Sequence, residues 1–341
     1  ERTIFSAGHP SRTVDMVKLA RIIHPFHVRK DPWHGHNFIL MFDKPPLVID
    51  MNIEGEPILH FLSFTVKQRF NAHHEFLLCL EQGALGQTGP VDLGRWRQFI
   101  GRRIAISFGY TRAEQQNFGG LITDVSLAQD HGYQGIIRIS GYSPTILMDR
   151  GPDLGSYNET YLYNIVQTAS KGIHFKDLEC HINPVQKELL THVIQFQESD
   201  FDFINRLSSA YQEWFYYDGA YLIFGKPAEL KQLTLTYGRE ISRLNYALHI
   251  APLKFKRHVY DATADELLKC ASSTGTTTNP DLQHAIALSE KKFNKVSFQQ
   301  ATGKISNFSD LKKRVDMAQH ADTRRLLSIA GCSDSPKLQI G

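Results

Sequence analysis

The segment Ile194-Gln195-Phe196-Gln197-Glu198-Ser199-Asp200-Phe201-Asp202-Phe203-Ile204-Asn205-Arg206-Leu207 changes its hydrophobic period partway along. Ile194-Gln195-Phe196 alternates as a strand does, whereas Phe203, Ile204, Leu207, Ala210, Tyr211 and Trp214 recur at helical spacing. Between the two, Ser199 stands as an N-cap with Asp202 three residues on, a capping box in which Asp replaces Glu. The acids then sit at the positive end of the helix dipole. Trp214 to Tyr217, the Asp218-Gly219 turn and Ala220 to Phe224 follow as a hairpin. Together these predict a small α/β unit.

Upstream, Glu159 to Ser170 carries Leu162, Ile165, Val166 and Ala169 on one stripe, with Gly172 as a stop, which extends the α/β unit over residues 143–228. Residues 47–142 have β punctuation. Leu47 to Asp50, Ile58 to Lys67, Phe76 to Glu81, Arg103 to Tyr110, Gly120 to Ala128 and Gly135 to Gly141 read as strands, the last two joined by a loop at residues 129–134. Leu93, Trp96, Phe99 and Ile100 predict a short helix across one end. This density of short strands suggests a small barrel. Residues 1–46, with a helical pattern at Met16, Leu19, Ala20 and Ile23 and then four prolines, read as an arm. Residues 229–341 return to β at Leu233 to Val259, pass through a polar loop at Ser272 to Pro280, and end in a helix over Asp310 to Ile329 with Gly331 as its stop. The fold class is mainly β with an α/β insert: two small β-barrels flanking a small α/β domain.

The 341 residues carry 38 Lys+Arg against 35 Asp+Glu, and this near balance argues against bulk electrostatic binding of nucleic acid. No stretch approaches the roughly 20 consecutive apolar residues of a spanning helix, so no stable membrane insertion is expected. Cys79, Cys180, Cys270 and Cys332 lie far apart without a C-x-x-C pair, which fits a reducing cytosol and no zinc ribbon or disulfide framework. In that compartment the sequons at Asn158 and Asn307 carry no weight. The nucleotide, zincin and nucleophile-elbow strings are missing.

Three weaker constellations remain. His24, His27, His34 and His36 are close together, but no Cys or third-ligand spacing completes a zinc set, so surface or packing histidines are expected. Glu198, Asp200 and Asp202 have the residue types of an acid–base pair, yet acids at a helix N-terminus are already favoured by roughly 0.3 to 1 kcal/mol each, and that accounts for them. Lys254, Lys256 and His258 alternate with Phe255 and Arg257 to make a basic strand face: a phosphate track, a solvated face or the polar wall of a channel. No catalytic, cofactor-binding or metal residue is assigned.

Two stretches resemble a family. Gly141-Tyr142-Ser143-Pro144-Thr145-Ile146-Leu147-Met148-Asp149, followed by Tyr161-Leu162-Tyr163-Asn164-Ile165-Val166, resembles the G-x-S-P-x-x-L-(L/M)-D … (L/V)-x-D-I-V run of VgrG-type spike proteins of type VI secretion systems. The Ile194 to Leu207 segment is similar to that family's Q-Y-x-E-S-D-x-D-F-x-x-R-L signature, with Glu198, Ser199, Asp200, Phe201, Asp202, Phe203, Arg206 and Leu207 in place. Asn205 stands where Ser is frequent, and Tyr211-Gln212-Glu213-Trp214 replaces E-x-G-I, the marks of a divergent member. Ser335 to Gly341 is similar to the segment at which the hub hands over to a downstream barrel and needle, implying that the chain stops at the junction to a missing spike domain. Phage tails and extracellular contractile injection systems have related spikes.

The resemblance implies a phage baseplate hub-like homotrimer whose six barrels dock on a hexameric, Hcp-like tube, among baseplate proteins, while the threefold continues into a spike with a PAAR-type tip and effectors. It implies a structural role without catalysis, assembly in the bacterial cytoplasm and expulsion on contraction. The motif residues Gly141, Ser143, Pro144, Asp149, Ile165 and Val166 would then be packing elements, and Lys254, Lys256 and His258 candidates for tube or channel contact. The alternatives are a phage-tail-associated cell-wall hydrolase component and a free-standing ligand-binding β protein.

Overall fold

Strand alternation explains most of the architecture. The computed structural model describes residues 3–7, 15–16, 47–81, 93–112, 115–130, 134–174, 176–228, 232–261, 264–275, 277–301, 305 and 307–341. The N-terminal arm contributes two strands, each paired with a different part of the chain. β1 (Thr3–Ala7) lies antiparallel to the last strand, Thr3 against Ser333, and β2 (Asp15–Met16) lies antiparallel to Gln68 and Arg69. Met16 is therefore strand, while Leu19, Ala20, Ile23 and the four arm histidines lie outside the described residues.

In the first β region β3 (Val48–Ile53), β4 (Glu56–Pro57), β5 (Ser63–Arg69), β6 (Glu75–Glu81), β7 (Arg103–Gly109), β8 (Gln116–Asp130) and β9 (Gln134–Tyr142) join β2 in one sheet of order β2-β5-β6-β9-β8-β7-β3-β4. Alternate residues turn inward and are buried, among them Ile53, Phe64, Leu78, Ile106 and Ile139. The strand order has two ends, so among the described residues the sheet does not close into the expected barrel. α1 (Leu93–Trp96) continues into a 3-10 turn at Arg97–Phe99 and crosses one end, burying Trp96 and Phe99 while Ile100 stays exposed.

The α/β unit follows. A 3-10 turn at Pro144–Met148 leads to β10 (Asp153–Tyr161), α2 (Leu162–Ala169), β11 (Glu179–Asn183), β12 (Leu189–Glu198), α3 (Asp200–Tyr211), β13 (Phe215–Tyr217) and β14 (Tyr221–Gly225). The stripe Leu162, Ile165, Val166 and Ala169 is buried and Gly172 takes φ +91°, as the periodicity predicts. Glu159 to Tyr161, expected in that helix, instead end β10, Thr160 and Tyr161 pairing with Leu190 and Leu189 of β12. The Asp218-Gly219 hairpin forms, with Asp218 Oδ1 accepting from the backbone of Ala220 at 2.8 Å and Tyr221 at 2.7 Å. Its β14 also pairs in parallel with β11, a pairing that local pattern does not reveal. The buried residues of this unit share one continuous core with those of the first sheet.

The C-terminal region holds β15 (Ile241–Leu248), β16 (Phe255–Asp261), β17 (Glu266–Ala271), α4 (Pro280–Lys292), β18 (Ser297–Gln300), α5 (Phe308–Arg324) and β19 (Leu327–Ser333). They form two three-stranded sheets, β1-β19-β15 and β17-β16-β18, and again no closed barrel among the described residues. The expected strand at Leu233 to Tyr237 is not formed; Tyr237 makes an isolated bridge to Ile241 and is exposed. The C-terminal helix stops at Arg324 rather than Ile329, because residues 327–333 form the central strand between β1 and β15, and Gly331 lies within it. The polar loop ends at Asn279, whose side chain caps α4 by accepting from Asp281 N and Leu282 N. No helix among the described residues is long and apolar enough to cross a membrane.

Candidate functional site

The two motif stretches meet at one carboxylate. Asp149 closes the first motif, and its Oδ1 accepts from Ser199 Oγ at 2.7 Å while Oδ2 lies 2.9 Å from His73 Nε2. Ser199 caps α3 as its position predicts, its hydroxyl oxygen also accepting from Asp202 N at 3.1 Å. His73 Nδ1 is 2.8 Å from Thr145 Oγ1, Thr145 is 2.7 Å from Ser143 Oγ, and Ser143 Oγ accepts from His74 N at 2.9 Å. Pro144 opens the 3-10 turn that carries Thr145. One hydrogen-bonded chain thus runs from the β5–β6 loop through the first motif to the start of α3.

Two of the remaining motif acids, Asp200 and Glu198, have structural partners. Asp200, 6% exposed, takes Arg150 on Oδ2 and the Gln195 amide at 3.1 Å on Oδ1. Glu198 receives Arg206 Nε at 3.0 Å and Nη2 at 2.6 Å, and the same guanidinium donates to Ile194 O and stacks on Phe203. Glu198, Asp200 and Asp202 therefore do not converge on a shared acid–base site. Phe201, Phe203 and Leu207 are buried in the common core with Ile165 and Val166. Asn205, the divergent position, exchanges two side-chain bonds with Asn71: its amide donates to Asn71 O at 3.1 Å, and the Asn71 amide donates to Asn205 Oδ1 at 2.7 Å. A Ser hydroxyl is shorter than the Asn amide and would not make both.

Thr145, His73 and Asp149 have the connectivity of a hydroxyl–imidazole–carboxylate triad. The hydroxyl is closed off, since Thr145 is 1% exposed and already bonded to Ser143, and the His73 ring lies 3.8 Å from the Phe201 ring centre. The arrangement serves to orient side chains, and substrate has no path to the hydroxyl.

Both histidines resist protonation. Burial lowers the pKa of His73, partly offset by its hydrogen bond to Asp149. Complete burial pulls His74 down to about 3, against a smaller opposing effect from the Arg69 carbonyl. The unfolded chain binds the His74 proton below pH 6.5 and the folded chain does not, so stability is full above that pH and falls as pH drops from 6.5 towards 3, and the lowered pKa of His73 acts in the same direction. The expected slope is about 1.4 kcal/mol per pH unit for each proton. Urea titrations from pH 8 to 4 should show a flat midpoint and then this decline, with His74→Gln flattening it. A parent midpoint independent of pH below 6 would contradict the assignment.

The basic face forms as an open sheet surface. Lys256 and His258 point away from α5, while Phe255 and Val259 pack with Leu311 and Val315 in a separate core. Lys269 stands opposite His258, Phe298 stands opposite Lys256 with the ammonium 6.0 Å from its ring, and Phe298 is 75% exposed. Arg257 turns to the other side and donates to Gln299 Oε1 at 3.3 Å. Lys254 precedes the strand and its carbonyl accepts from Ser297 N. Sequence reading found Lys256 and His258 but not Phe298 and Lys269, which strand pairing brings in from 42 and 11 residues away respectively. No group of three or more His, Cys, Asp or Glu among the described residues is placed to hold a metal ion.

No family model matches the chain, and no curated protein matches it in sequence. Solved structures do. The tail protein from Neisseria meningitidis aligns with a TM-score of 0.58 at 12% identity, over 84% of this chain and 79% of its own. The 43 kDa tail protein of prophage MuSo2 from Shewanella oneidensis aligns at 0.53 and 14% identity, over 82% and 80%. An Escherichia coli component of the type VI secretion system, described as structurally similar to T4 bacteriophage tail proteins, aligns at 0.46 and 14%, over 85% and 78%. The chain has the fold of the first two, a mostly β architecture.

Proposed function

We propose that this chain is the hub portion of a trimeric puncturing spike in a contractile injection apparatus, a structural part without catalysis. The observation that carries the reading is the shared fold: two tail proteins superpose over more than four-fifths of the chain, across both β regions and the α/β unit between them. The motif chemistry supports it, because Asp149, Ser199, Asp200, Glu198 and Arg206 are all engaged in joining elements to one another. In this role the hub adapts a hexameric, Hcp-like tube to a threefold needle, with baseplate proteins around it and a PAAR-type tip and effectors beyond. It assembles in the bacterial cytoplasm and leaves on contraction. Assembly of this kind needs interfaces of about 2,000 Å² or more in total, rich in apolar surface. Exposed Leu154 and Phe196, directly paired across β10 and β12, and Phe298 on the basic face are surface of that kind.

Light scattering on the chain joined to its downstream spike is expected to give a trimer without activity on cell wall. A monomer, or robust wall hydrolysis, would defeat the reading and favour the hydrolase alternative. Within the trimer, charge reversal by Lys254→Glu and Lys256→Glu is expected to weaken co-sedimentation with the tube at least tenfold while leaving the trimer intact; unaffected docking would remove this face from the tube contact.

A further inference from the structure

We propose that residues 335–341 form a latch between the C-terminal region and the α/β unit, with Ile340 as the pin whose withdrawal uncouples the two. The proposal is independent of the hub reading. Alternation along β13 sends Phe215 and Tyr217 into the core shared with the first sheet, so Trp214 and Tyr216 face the other way. Tyr216 stands opposite Ile223 of β14, which extends the same outer face. A hairpin face of this composition would leave an aromatic patch in water, yet Tyr216 is 5% and Ile223 7% exposed.

Phe70, just beyond β5, and Ile340 supply the cover. Phe70, Trp214 and Tyr216 meet edge to face with ring centres 5.0 to 6.2 Å apart, a favoured geometry for aromatic pairs. Ile340, 3% exposed, clusters with Phe70, Tyr216 and Ile223. The tail backbone lies against the tyrosine, since a Cβ at Gly341 would fall 2.3 Å from Tyr216 Oη. Serine hydroxyls steer the chain towards this socket as it leaves β19. Ser333 Oγ donates to Glu240 O at 2.8 Å and accepts from Ser335 N at 3.1 Å, and Ser335 Oγ accepts from Lys337 N at 3.3 Å.

The position of this cluster among the cores gives it a coupling role. The buried apolar residues of the C-terminal region form cores of their own, one around Leu311 and Val315 and one around Leu253, Ile286 and Leu326, apart from the core of the first sheet and the α/β unit. At Ile340, buried apolar residues of both parts meet. No strand pairing among the described residues joins β3–β14 to β15–β19. Elsewhere between the two parts, the Tyr110 hydroxyl donates to Asp334 O at 3.2 Å, and the Arg314 guanidinium stands 6.0 Å from the Tyr211 ring centre beside a cleft of about 220 Å³. The arm also reaches both parts, through β1 and β2. Exposing one buried isoleucine shifts an equilibrium by roughly tenfold to a hundredfold, enough to release the C-terminal region as a unit while the main core stays closed.

The test is hydrogen exchange followed by mass spectrometry along a urea series, on the full chain. In the unmodified protein, peptides from β15 to β19 are expected to lose protection together with those from β9 and α3. In Ile340→Ser, the β15 to β19 peptides should exchange at least tenfold faster at low urea, while β9 and α3 stay within twofold of the parent; Ile340→Leu, which refills the socket, should restore joint loss. Three results would each overturn the proposal. Separate loss in the unmodified chain would mean that nothing is coupled. Joint loss retained in Ile340→Ser would assign the coupling to the arm. Loss of protection throughout the Ile340→Ser chain would make Ile340 a support of the whole fold, with no latch to release.

Discussion

Gly141→Ala is expected to leave little soluble folded protein. Gly141 sits on β9 between β6 and β8, opposite Phe76 on one side and Ile122 on the other. A Cβ there would lie 2.0 Å from the Leu121 carbonyl oxygen and 3.0 Å from the Phe76 ring. The carbonyl belongs to the backbone of a strand that is paired on both sides, and the ladder slips in register immediately beside it, between Ile122 and Asp124. Neither neighbour can give way without breaking pairing in the middle of the eight-stranded sheet. Overpacking usually costs about 1–3 kcal/mol, and a clash against fixed backbone belongs at or above the upper end. Against a total stability of about 5–15 kcal/mol, that loss shows as a large drop in the urea midpoint and in soluble yield. A variant as stable as the parent would mean that the strands separate here more easily than the pairing indicates. The first glycine of the family-like motif is thus explained by close approach of two strands, with no ligand involved.

Phe203→Ala is expected to destabilise by about 3–5 kcal/mol. The ring is fully buried, stacks on Tyr157 with centroids 5.6 Å apart, and has the Arg206 guanidinium 5.3 Å from its centre. Its loss opens a cavity in the core shared by the first sheet and the α/β unit, so both should unfold together in a single cooperative transition. Phe196→Ala is the control: seven residues away in the same segment, that ring is 66% exposed, and the change should stay within about 0.5 kcal/mol. Similar losses for the two variants in urea melts would refute the packing assignment. A selective loss of trimer in Phe196→Ala, with stability kept, would instead mark the β10–β12 face as an interface.

Much of this was legible because it is local. The N-cap at Ser199, the buried stripe of α2, the Asp218-Gly219 turn and the inward alternation of β5 each depend on residues within one or two turns or one strand of one another. Reading failed where pairing with a distant strand overrode a local period. Leu327 to Ser333 has residues that could extend α5, but it becomes the central strand between β15 and β1. Thr160 and Tyr161 join β10 because β12 is there to pair with them.

By itself, the sequence determined the two helices and the β13–β14 hairpin of the α/β unit, the mainly β class, and the alternation of Lys256 and His258 on β16, since period, caps and charge are carried by neighbouring residues. Tertiary structure alone decided that Asp149 would clasp Ser199, that Phe298 and Lys269 would join Lys256 and His258, and that the first sheet would stop short of closure. Those outcomes depend on which strand edges meet and in what register. Register is set by burial summed over whole strands, so it cannot be read from any single stretch of the chain.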